Sequence, residues 1–316
     1  MSCSAMQAAH ALTPDIIITN GYLGYGHARE ESLIWQRVTN KRPATTQRSK
    51  TPCLHLYHGT MVGAVRALGD LITLRDRIRR AVGGGIAEAM AGRGATRAVC
   101  VSDATADEVR RCYRLRDIEV IPNGIDDLTF APGDQLQARA RLDLDSQGRY
   151  AAFVGRFEPG KGARLALDAA IAAGYELLVV GPSAPASARH LGTLAPGQLP
   201  DVYAAADCVI LPSRYEACSM VVLEAMACAR PLITTRVGWM DTLVRAVPDY
   251  RALCIEGETT VEGLRARMDA LPDIDTALLT AQARSYVIEH NSMTRWSQRW
   301  HELAASVVSD PPVIVR

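Results

Sequence analysis

The sequence predicts an α/β fold of doubly wound parallel sheets, divided between two domains. A length of 316 residues suits two domains of about 150 residues each. Short β-rich runs recur, and each is followed by a polar or glycine-containing turn and then by a longer helical stretch. Because the runs are apolar throughout rather than alternating, they are typical of strands covered on both faces by helices. The nine runs are DIIITNG (15–21), CLHLYHG (53–59), AVCVS (98–102), IEVIPNG (118–124), YAAFVG (150–155), LLVVGPS (177–183), CVILPS (208–213), PLITT (231–235) and ALCIEG (252–257).

The composition is that of an ordinary globular protein. Hydrophobic residues make up 48% and charged residues 22%, with Lys+Arg 35 against Asp+Glu 34, which argues against disorder and nucleic-acid binding. No stretch approaches the ~20 apolar residues that span a bilayer, and the N-terminus lacks a signal-peptide pattern, so we expect a cytoplasmic protein. The 8 cysteines are scattered without a C-x-x-C pair, which predicts buried reduced thiols rather than disulfides or a zinc site.

A polar segment at 130–149 separates the fourth run from the fifth and carries proline and glycine. It predicts a first domain at 1–130 and a second at 131–290. Ligands of doubly wound sheets bind at the carboxyl ends of the strands, so the turns directly after the runs are where functional residues are expected.

The loop Val154–Gly162 follows the fifth run and carries Arg156 and Lys161. Its glycines let the backbone turn tightly, so that two cations can converge on one anion, for which a diphosphate is the natural guest. The alternative is a solvated loop with incidental charges. Lysine occurs only at 41, 50 and 161 in a chain whose other basic residues are all arginine, which adds weight to a specific role for Lys161.

A second candidate lies in LPSRYEACSMVVLEAMA, from Leu211 to Ala227. Ser219 is placed to cap a helix, with Glu216 before its positive end and Glu224 inside it. Two such carboxylates can accept hydrogen bonds from sugar hydroxyls beside the anion site of the helix terminus. Carboxylates also simply stabilise the first turns of a helix, but a Glu within the apolar VVLEAMA is expected to be buried, where an unpaired charge is unfavourable.

These segments together resemble the retaining family 4 glycosyltransferases of GT-B fold, in which two Rossmann-like domains face a cleft. The resemblance rests on IPNGID (121–126), VGRFEPGKG (154–162) and the spacing of Glu216 and Glu224. AVCVSDATADEV (98–109), LPDVYAAADCVILPS (199–213) and TRWSQRWHELAASV (294–307) occur in the family's order. It implies that the C-terminal helix, within 291–316, joins the N-terminal domain.

The resemblance also implies a role for each candidate residue. Arg156 and Lys161 would hold the donor diphosphate, in the loop that begins at Gly155, and Glu224 would bind the ribose. Glu216 would contact the hydroxyls of the donor sugar. His58 would reach towards the donor sugar. The backbone of Ser219, Met220 and Val221 would contact the phosphate and the sugar. Pro182 and Ser183 would lie near the base.

No cofactor is expected beyond the nucleotide diphosphosugar donor, with UDP the commonest base in the family. A cation pair and a helix terminus can stabilise the leaving diphosphate without a metal. Two D-x-D triplets, at 143–145 and 273–275, are interpreted as surface loops rather than a metal site. Front-face displacement is expected, as proposed for the family, because no second carboxylate is placed as a covalent nucleophile.

Two departures from the family concern the candidate site and the first domain. Ala217, Cys218 and Ser219 stand where Gly-Phe-Gly is common, and only 14 residues precede the first run, which predicts a shortened N-terminal domain with four recognisable strands. The segment 65–82 combines regularly spaced apolar residues with arginines. It is interpreted as a core-packed helix with a solvated arginine face, in preference to a membrane-surface helix.

Two other functions stay open at this point. A non-catalytic GT-B-like nucleotide-sugar-binding or scaffold protein is compatible with the short first domain. A nucleotide-sugar epimerase of the same fold would give a product that stays linked to the nucleotide. The acceptor, whether small molecule, glycan or lipid, and the oligomeric state are not predicted.

Overall fold

A computed structural model describes residues 16–20 and 52–309. Lys41 and Lys50 lie outside this part of the chain. The chain divides into two compact units, the first comprising described residues up to Pro122 and from Gln298 onward, and the second Asn123–Ser297. Each unit is built around its own parallel sheet.

The sheet of the first unit has four parallel strands in chain order, β1-β2-β3-β4. The predicted runs at 15–21, 53–59, 98–102 and 118–124 are confirmed as strands. Leu54 and Tyr57 in the second strand are fully buried, as expected for a strand covered on both faces. The strands are β1 Ile17–Asn20, β2 Cys53–Tyr57, β3 Arg97–Cys100 and β4 Ile118–Val120.

Helices connect the last three of these strands. Thr60 and Ser102 begin two of them, each accepting a backbone N–H from the first turn. The described helical elements are α1 Met61–Leu68, a 3₁₀ turn Gly69–Leu71, α2 Leu74–Ile78, a π-helical segment Arg79–Gly84, α3 Gly85–Gly94 and α4 Asp103–Tyr113.

The predicted core-packed helix over 65–82 is wrong. The α-helix is interrupted between Gly69 and Thr73. The apolar side chains that follow the interruption face outward, with Leu74 69% and Ile78 56% exposed. A periodic pattern shows that apolar residues share one side of a helix, but not whether another element covers that side.

The second sheet has six parallel strands in the order β10-β9-β8-β5-β6-β7. The five remaining predicted runs are all confirmed as strands, whereas β7 was not predicted. The order of the chain reverses between β5 and β8, which is the switch point of a doubly wound fold. The strands are β5 Tyr150–Val154, β6 Glu176–Val180, β7 Arg189–Gly192, β8 Cys208–Leu211, β9 Leu232–Thr235 and β10 Cys254–Ile255.

The core of the second unit is formed by the central strands, of which Phe153, Leu178 and Ile210 are fully buried. Helices pack along the sheet. They are α5 Gln135–Arg141, α6 Ala163–Ala172, α7 Leu199–Ala205, α8 Met220–Ala227, α9 Met240–Ala246, α10 Val261–Asp269 and α11 Thr276–Asn291, with 3₁₀ turns at Pro159–Lys161, Pro196–Gln198, Pro248–Leu253 and Leu271–Asp273.

The last described helix, α12 Met293–Ser309, runs from the second unit into the first. Within the first unit, Arg299 donates a hydrogen bond to the carbonyl of Val120 at the end of β4. Its guanidinium lies 3.7 Å from the carboxylate of Glu119. The C-terminal helix is thereby tied to the edge of the first sheet.

Three further expectations concern the described part of the chain. The seven cysteines found there are free, and five are buried, as predicted. Both D-x-D triplets have exposed aspartates at surface turns. No helix in 16–20 or 52–309 is long and apolar enough to cross a membrane.

Candidate functional site

The predicted site residues of the second unit gather where the sheet order reverses. Strands β5 and β8 are neighbours, with Ala151 opposite Cys208, so the loops that follow them leave the sheet side by side. The backbone N–H of Arg214 donates to the carbonyl of Gly160 at 3.0 Å and joins the two loops. The carboxyl ends of two strands that are far apart in sequence therefore form one surface.

Gly162 allows this close approach. It has φ +66°, and a Cβ at this position would lie 2.3 Å from the carbonyl oxygen of Pro212. Any other residue would adopt an unfavourable left-handed backbone conformation and would also clash with this carbonyl oxygen. The glycine at position 162 is thus explained by the packing of one loop against the next.

Lys161 and Glu216 are brought together by these loops. The ammonium Nζ of Lys161 lies 2.6 Å from Oε1 of Glu216, and their side chains are 28% and 14% exposed. Arg156, by contrast, is 67% exposed and contacts Glu158 at 3.1 Å. The lysine therefore contacts the Glu216 loop, while the arginine extends from its own loop into solvent.

The segment Glu216–Ser219 is fixed from two further sides. The side-chain amide of Asn123 donates to the carbonyl of Cys218 at 2.8 Å, and the backbone N–H of Trp239 donates to the carbonyl of Ala217 at 2.8 Å. A Cβ on Gly238, at φ +58°, would lie 2.2 Å from the carbonyl of Glu216. The backbone of this loop is preorganised although it lacks the family's glycines.

Helix α8 begins directly after this loop. Ser219 is its N-cap residue, with φ −72° and ψ 128°, but its hydroxyl makes no cap hydrogen bond. The first N–H groups of a helix have no acceptor within the helix and carry its positive end. Met220 is 39% exposed and Val221 is half-buried, so this terminus is open to a ligand.

Glu224 lies deeper in α8 and is only 8% exposed, which confirms the expected burial. The fully buried Tyr203 donates its hydroxyl to Oε2 of Glu224 at 2.5 Å. Burial raises the pKa of Glu224, and the hydrogen bond from Tyr203 opposes that rise. A buried carboxylate with one oxygen already satisfied presents the other to a hydroxyl-bearing ligand.

The turn after β6 adds two exposed positions, Pro182 and Ser183. The turn is pressed against the first loop, since a Cβ on Gly181 would lie 2.2 Å from the carbonyl of Gly155. Gly155 itself has φ +141°, a conformation that favours glycine.

His58 belongs to the first unit, where it follows β2 and is half-buried. Burial lowers its pKa, which favours the neutral imidazole.

A small pocket lies in the second unit beside the start of α8. It is lined by Glu216, Ser219, Val222, Thr234, Val237, Trp239 and Met240. In the ranges 16–20 and 52–309, no cluster of three or more His, Cys, Asp or Glu residues could hold a metal ion.

Two contributors were not assigned a role from the sequence. Tyr203 and Asn123 both lie inside segments that carry the resemblance, LPDVYAAAD and IPNGID, yet nothing in the sequence pairs Tyr203 with Glu224 or Asn123 with Cys218. Those contacts span 21 and 95 positions and depend on the strand order.

Two family models match the chain. A family model described as "Glycosyl transferases group 1" matches residues 148–271, and one described as "Glycosyltransferase Family 4" matches residues 3–127. The chain belongs to the group 1, family 4 glycosyltransferases. The two matches cover separate parts of the chain that correspond to its two sheets.

Curated relatives of this family include D-inositol 3-phosphate glycosyltransferases. That of Segniliparus rotundus is 37% identical over 150 residues, which cover 40% of this chain and 33% of the relative. That of Actinosynnema mirum is 32% identical over 229 residues, or 63% of this chain and 54% of the relative. The chain thus matches from a third to about half the length of these relatives.

Solved structures of the family's GT-B fold are also similar. Sucrose-phosphate synthase from Thermosynechococcus elongatus has a TM-score of 0.74 at 21% identity, covering 97% of this chain and 77% of that one. Anabaena HepE, in complex with UDP-glucose, has a TM-score of 0.63 at 19% identity, covering 81% and 73%. These similarities establish the fold.

Proposed function

We propose that the chain is a retaining, metal-independent glycosyltransferase that transfers a sugar from a nucleoside diphosphate sugar to a small-molecule, glycan or lipid acceptor. The observation that carries the proposal is the Lys161–Glu216 pair at 2.6 Å, set at the switch point of the second sheet beside the start of α8. One loop thereby supplies a cation for a diphosphate, and the other a carboxylate for sugar hydroxyls.

The positive groups of this site match the charge of the leaving group. When the bond from the sugar to the β-phosphate breaks, negative charge develops on the phosphate oxygens. Lys161, Arg156 and the N–H groups at the start of α8 can stabilise that charge from fixed positions. Because the side chain of Arg156 is exposed, it can exchange its Glu158 partner for a phosphate.

The donor is proposed to be a UDP sugar. Glu224, with Oε2 held by Tyr203, offers Oε1 to the ribose hydroxyls. Pro182 and Ser183 lie on the adjoining turn, where the base would rest. The complex of HepE with UDP-glucose, a protein of the same fold, supports this choice of nucleotide.

We propose front-face displacement for the transfer. The acceptor oxygen bonds to the anomeric carbon on the side from which the nucleoside diphosphate leaves. The acceptor proton passes to the departing β-phosphate oxygen. Configuration is retained without a covalent glycosyl-enzyme, so Glu216 orients the donor sugar and is not a nucleophile.

Substitution Glu216→Gln tests this assignment. The amide keeps the size of the side chain but loses the ion pair with Lys161, so kcat/KM for donor turnover should fall by roughly 10²–10³-fold. The matched control is Glu258→Gln, an exposed position with the same change of charge. Mass spectrometry should find no glycosyl adduct on either protein, and a trapped adduct would refute front-face displacement.

Two separate measurements identify the donor and the acceptor. A thermal-shift screen against UDP, GDP, ADP and dTDP sugars ranks the donors, because a ligand at 100 times its Kd adds ~2.7 kcal/mol of apparent stability. The names of the curated relatives make D-inositol 3-phosphate the first acceptor to assay.

Turnover should survive EDTA. Nucleotide binding without transfer or hydrolysis would favour a scaffold, and a product still linked to the nucleotide would favour an epimerase.

A further inference from the structure

Glu158 is a charged residue of the candidate site to which the proposed reaction gives no role. It lies in the loop after β5, between the two cations proposed to hold the diphosphate, Arg156 and Lys161. Its Oε1 lies 3.1 Å from the guanidinium of Arg156. A carboxylate beside an anion site weakens the binding of an anion, because like charges repel. The presence of Glu158 in a loop that is proposed to bind a diphosphate therefore needs a physical explanation.

The backbone of the loop keeps Glu158 beside Arg156. The N–H of Glu158 donates to the carbonyl of Arg156 at 2.9 Å, and the carbonyl of Glu158 accepts the N–H of Lys161 at 3.1 Å. Glu158 directly precedes the 3₁₀ turn Pro159–Lys161. Its side chain is 36% exposed, against 67% for that of Arg156. The carboxylate is thus the better fixed partner of this ion pair, and the guanidinium is the partner that can turn to a ligand.

The charges of the two loops at this site nearly balance. The loops at 155–162 and 212–219 contain three basic and two acidic side chains, for a net charge of +1. These side chains are Arg156, Lys161, Arg214, Glu158 and Glu216. The net positive charge available to a diphosphate is therefore small, although three cations are present.

The ligand changes its charge during the proposed reaction. A nucleoside diphosphate sugar carries one negative charge on each phosphate, whereas the nucleoside diphosphate left after transfer carries a further charge on its terminal phosphate near neutral pH. With cations alone, the site would hold this product more tightly than the donor. A fixed carboxylate repels the product more than the donor and offsets part of that difference.

Tight binding of a product slows an enzyme. Product release limits turnover in many enzymes, and an interaction accelerates transfer only where it is stronger in the transition state than in the bound substrate. Arg156 is proposed to stabilise the charge that develops on the leaving diphosphate. Glu158 offers the same guanidinium another partner once the sugar has been transferred.

We propose that Glu158 competes with phosphate for Arg156 and thereby promotes release of the nucleoside diphosphate product. This inference rests on the proposed function, because it assigns a second role within the same diphosphate site. Glu158 sets the affinity of the site for diphosphates, whereas Lys161 and Arg156 supply its attraction.

Isothermal titration calorimetry of the full chain tests the proposal with UDP, UDP-glucose and inorganic pyrophosphate. Glu158→Gln keeps the size of the side chain and removes its charge, so the Kd for UDP should fall by about three- to fivefold, as expected for an exposed ion pair. The Kd for UDP-glucose should fall by a smaller factor, because that ligand carries less charge. Pyrophosphate should follow UDP, which makes the result independent of the base. The dissociation rate of UDP in stopped flow should fall together with its Kd.

Glu176→Gln is the matched control. Glu176 is exposed and begins β6, whereas the site lies at the other end of the strands, so the same loss of charge should leave all three Kd values unchanged. Arg156→Gln should weaken UDP binding. In the double variant Arg156→Gln/Glu158→Gln, the gain from removing Glu158 should shrink to within about twofold, because the competition requires the guanidinium.

The outcomes separate this inference from the proposed function. If the wild type binds UDP and Glu158→Gln leaves its Kd unchanged or raises it, the inference alone is wrong. An equal fall of the Kd in Glu176→Gln, or an undiminished gain in the double variant, also contradicts the competition for Arg156. A wild-type protein that binds none of the three ligands would overturn the proposed function and this inference with it.

Discussion

The charge of Glu224 depends on a single buried hydroxyl. Its carboxylate is almost inaccessible to water, which favours the protonated form, and the hydrogen bond from Tyr203 favours the ionised form. Tyr203 is itself fully buried and packs near Phe130, with ring centroids 6.3 Å apart. Tyr203 thereby favours the ionised form of the carboxyl group that is proposed to bind the ribose.

Substitution Tyr203→Phe should raise the pKa of Glu224 further. The ionised form of a carboxyl group is present above its pKa and is lost as the pH falls through it. As the pH is lowered, the KM for the donor should therefore begin to rise at a higher pH in the variant than in the wild type. The kcat should be less affected. A buried oxygen left without its donor costs about 1–3 kcal/mol of stability. Donor KM measured across the acid range checks the shift.

Tyr250→Phe is the control for that experiment. Tyr250 is also fully buried, and its hydroxyl accepts the backbone N–H of Leu232. Its loss should lower stability without moving the pH dependence of KM. Parallel shifts in both variants would mean that Tyr203 acts only through packing.

For single residues, the sequence predicts which side chains have a specific role better than which residues they contact. The rarity of lysine in an arginine-rich chain singles out Lys161, and an apolar setting predicts the burial of Glu224. The contact of Lys161 with Glu216 was not predicted, because the two are separated by 55 positions. Only the neighbouring positions of β5 and β8 bring them together.

Among the elements, α8 ends in a strained conformation. After the C-cap Cys228, Ala229 adopts φ +51°, and the N–H groups of Ala229 and Arg230 donate to the carbonyls of Met226 and Ala225 at 2.9 Å. This is a Schellman motif with alanine where glycine is usual. The left-handed backbone places Cβ too close to a carbonyl oxygen.

Ala229→Gly should therefore stabilise the protein, by about 1 kcal/mol. Urea unfolding of the variant measures the gain. Ala227→Gly, at the last residue of the same helix, makes the same chemical change at a helical φ and should destabilise the protein by about 1 kcal/mol. Equal effects of the two substitutions would contradict the assignment of strain to Ala229.

The elements themselves were largely predictable. All nine apolar runs form strands, since buried central strands contain little else. The exception is β7, whose Arg189 and His190 give it no apolar signal and whose edge position requires none. The side of α2 that faces solvent could not be read from periodicity, which is the same for a buried and an exposed apolar stripe.

On the scale of the whole molecule, the first unit holds two buried titratable groups with opposite effects on stability. Burial raises the pKa of Glu88 from 4.5 to about 7, although Tyr113 and the N–H of Met61 hydrogen-bond to its Oε2. Burial lowers the pKa of His55 from 6.5 to about 4. Both side chains are under 10% exposed, at 7% and 4%.

The signs follow from linkage between protonation and folding. Between pH 4.5 and about 7, Glu88 keeps a proton in the folded state that the unfolded state releases, so its contribution to stability falls as pH rises. Between about 4 and 6.5, unfolded His55 binds a proton that the folded state excludes, so its contribution rises with pH. The lowered pKa of His58 acts in the same direction as that of His55. The contributions of Glu88 and His55 to stability thus change in opposite directions between pH 4.5 and 6.5.

Glu88→Gln should remove the contribution of Glu88 to the pH dependence of stability and leave that of His55. The amide stays neutral and can still accept hydrogen bonds at its oxygen, so the variant should become more stable as pH rises from 4.5 to 6.5. Between pH 4.5 and about 7, the change in its free energy of unfolding should differ from that of the wild type by up to about 3 kcal/mol. Urea unfolding of both proteins at several pH values measures the difference, in which the contributions of all unchanged groups cancel. Parallel profiles would mean that Glu88 is ionised in the folded protein, and its burial would then be offset by the nearby donors Tyr113 and Met61 alone.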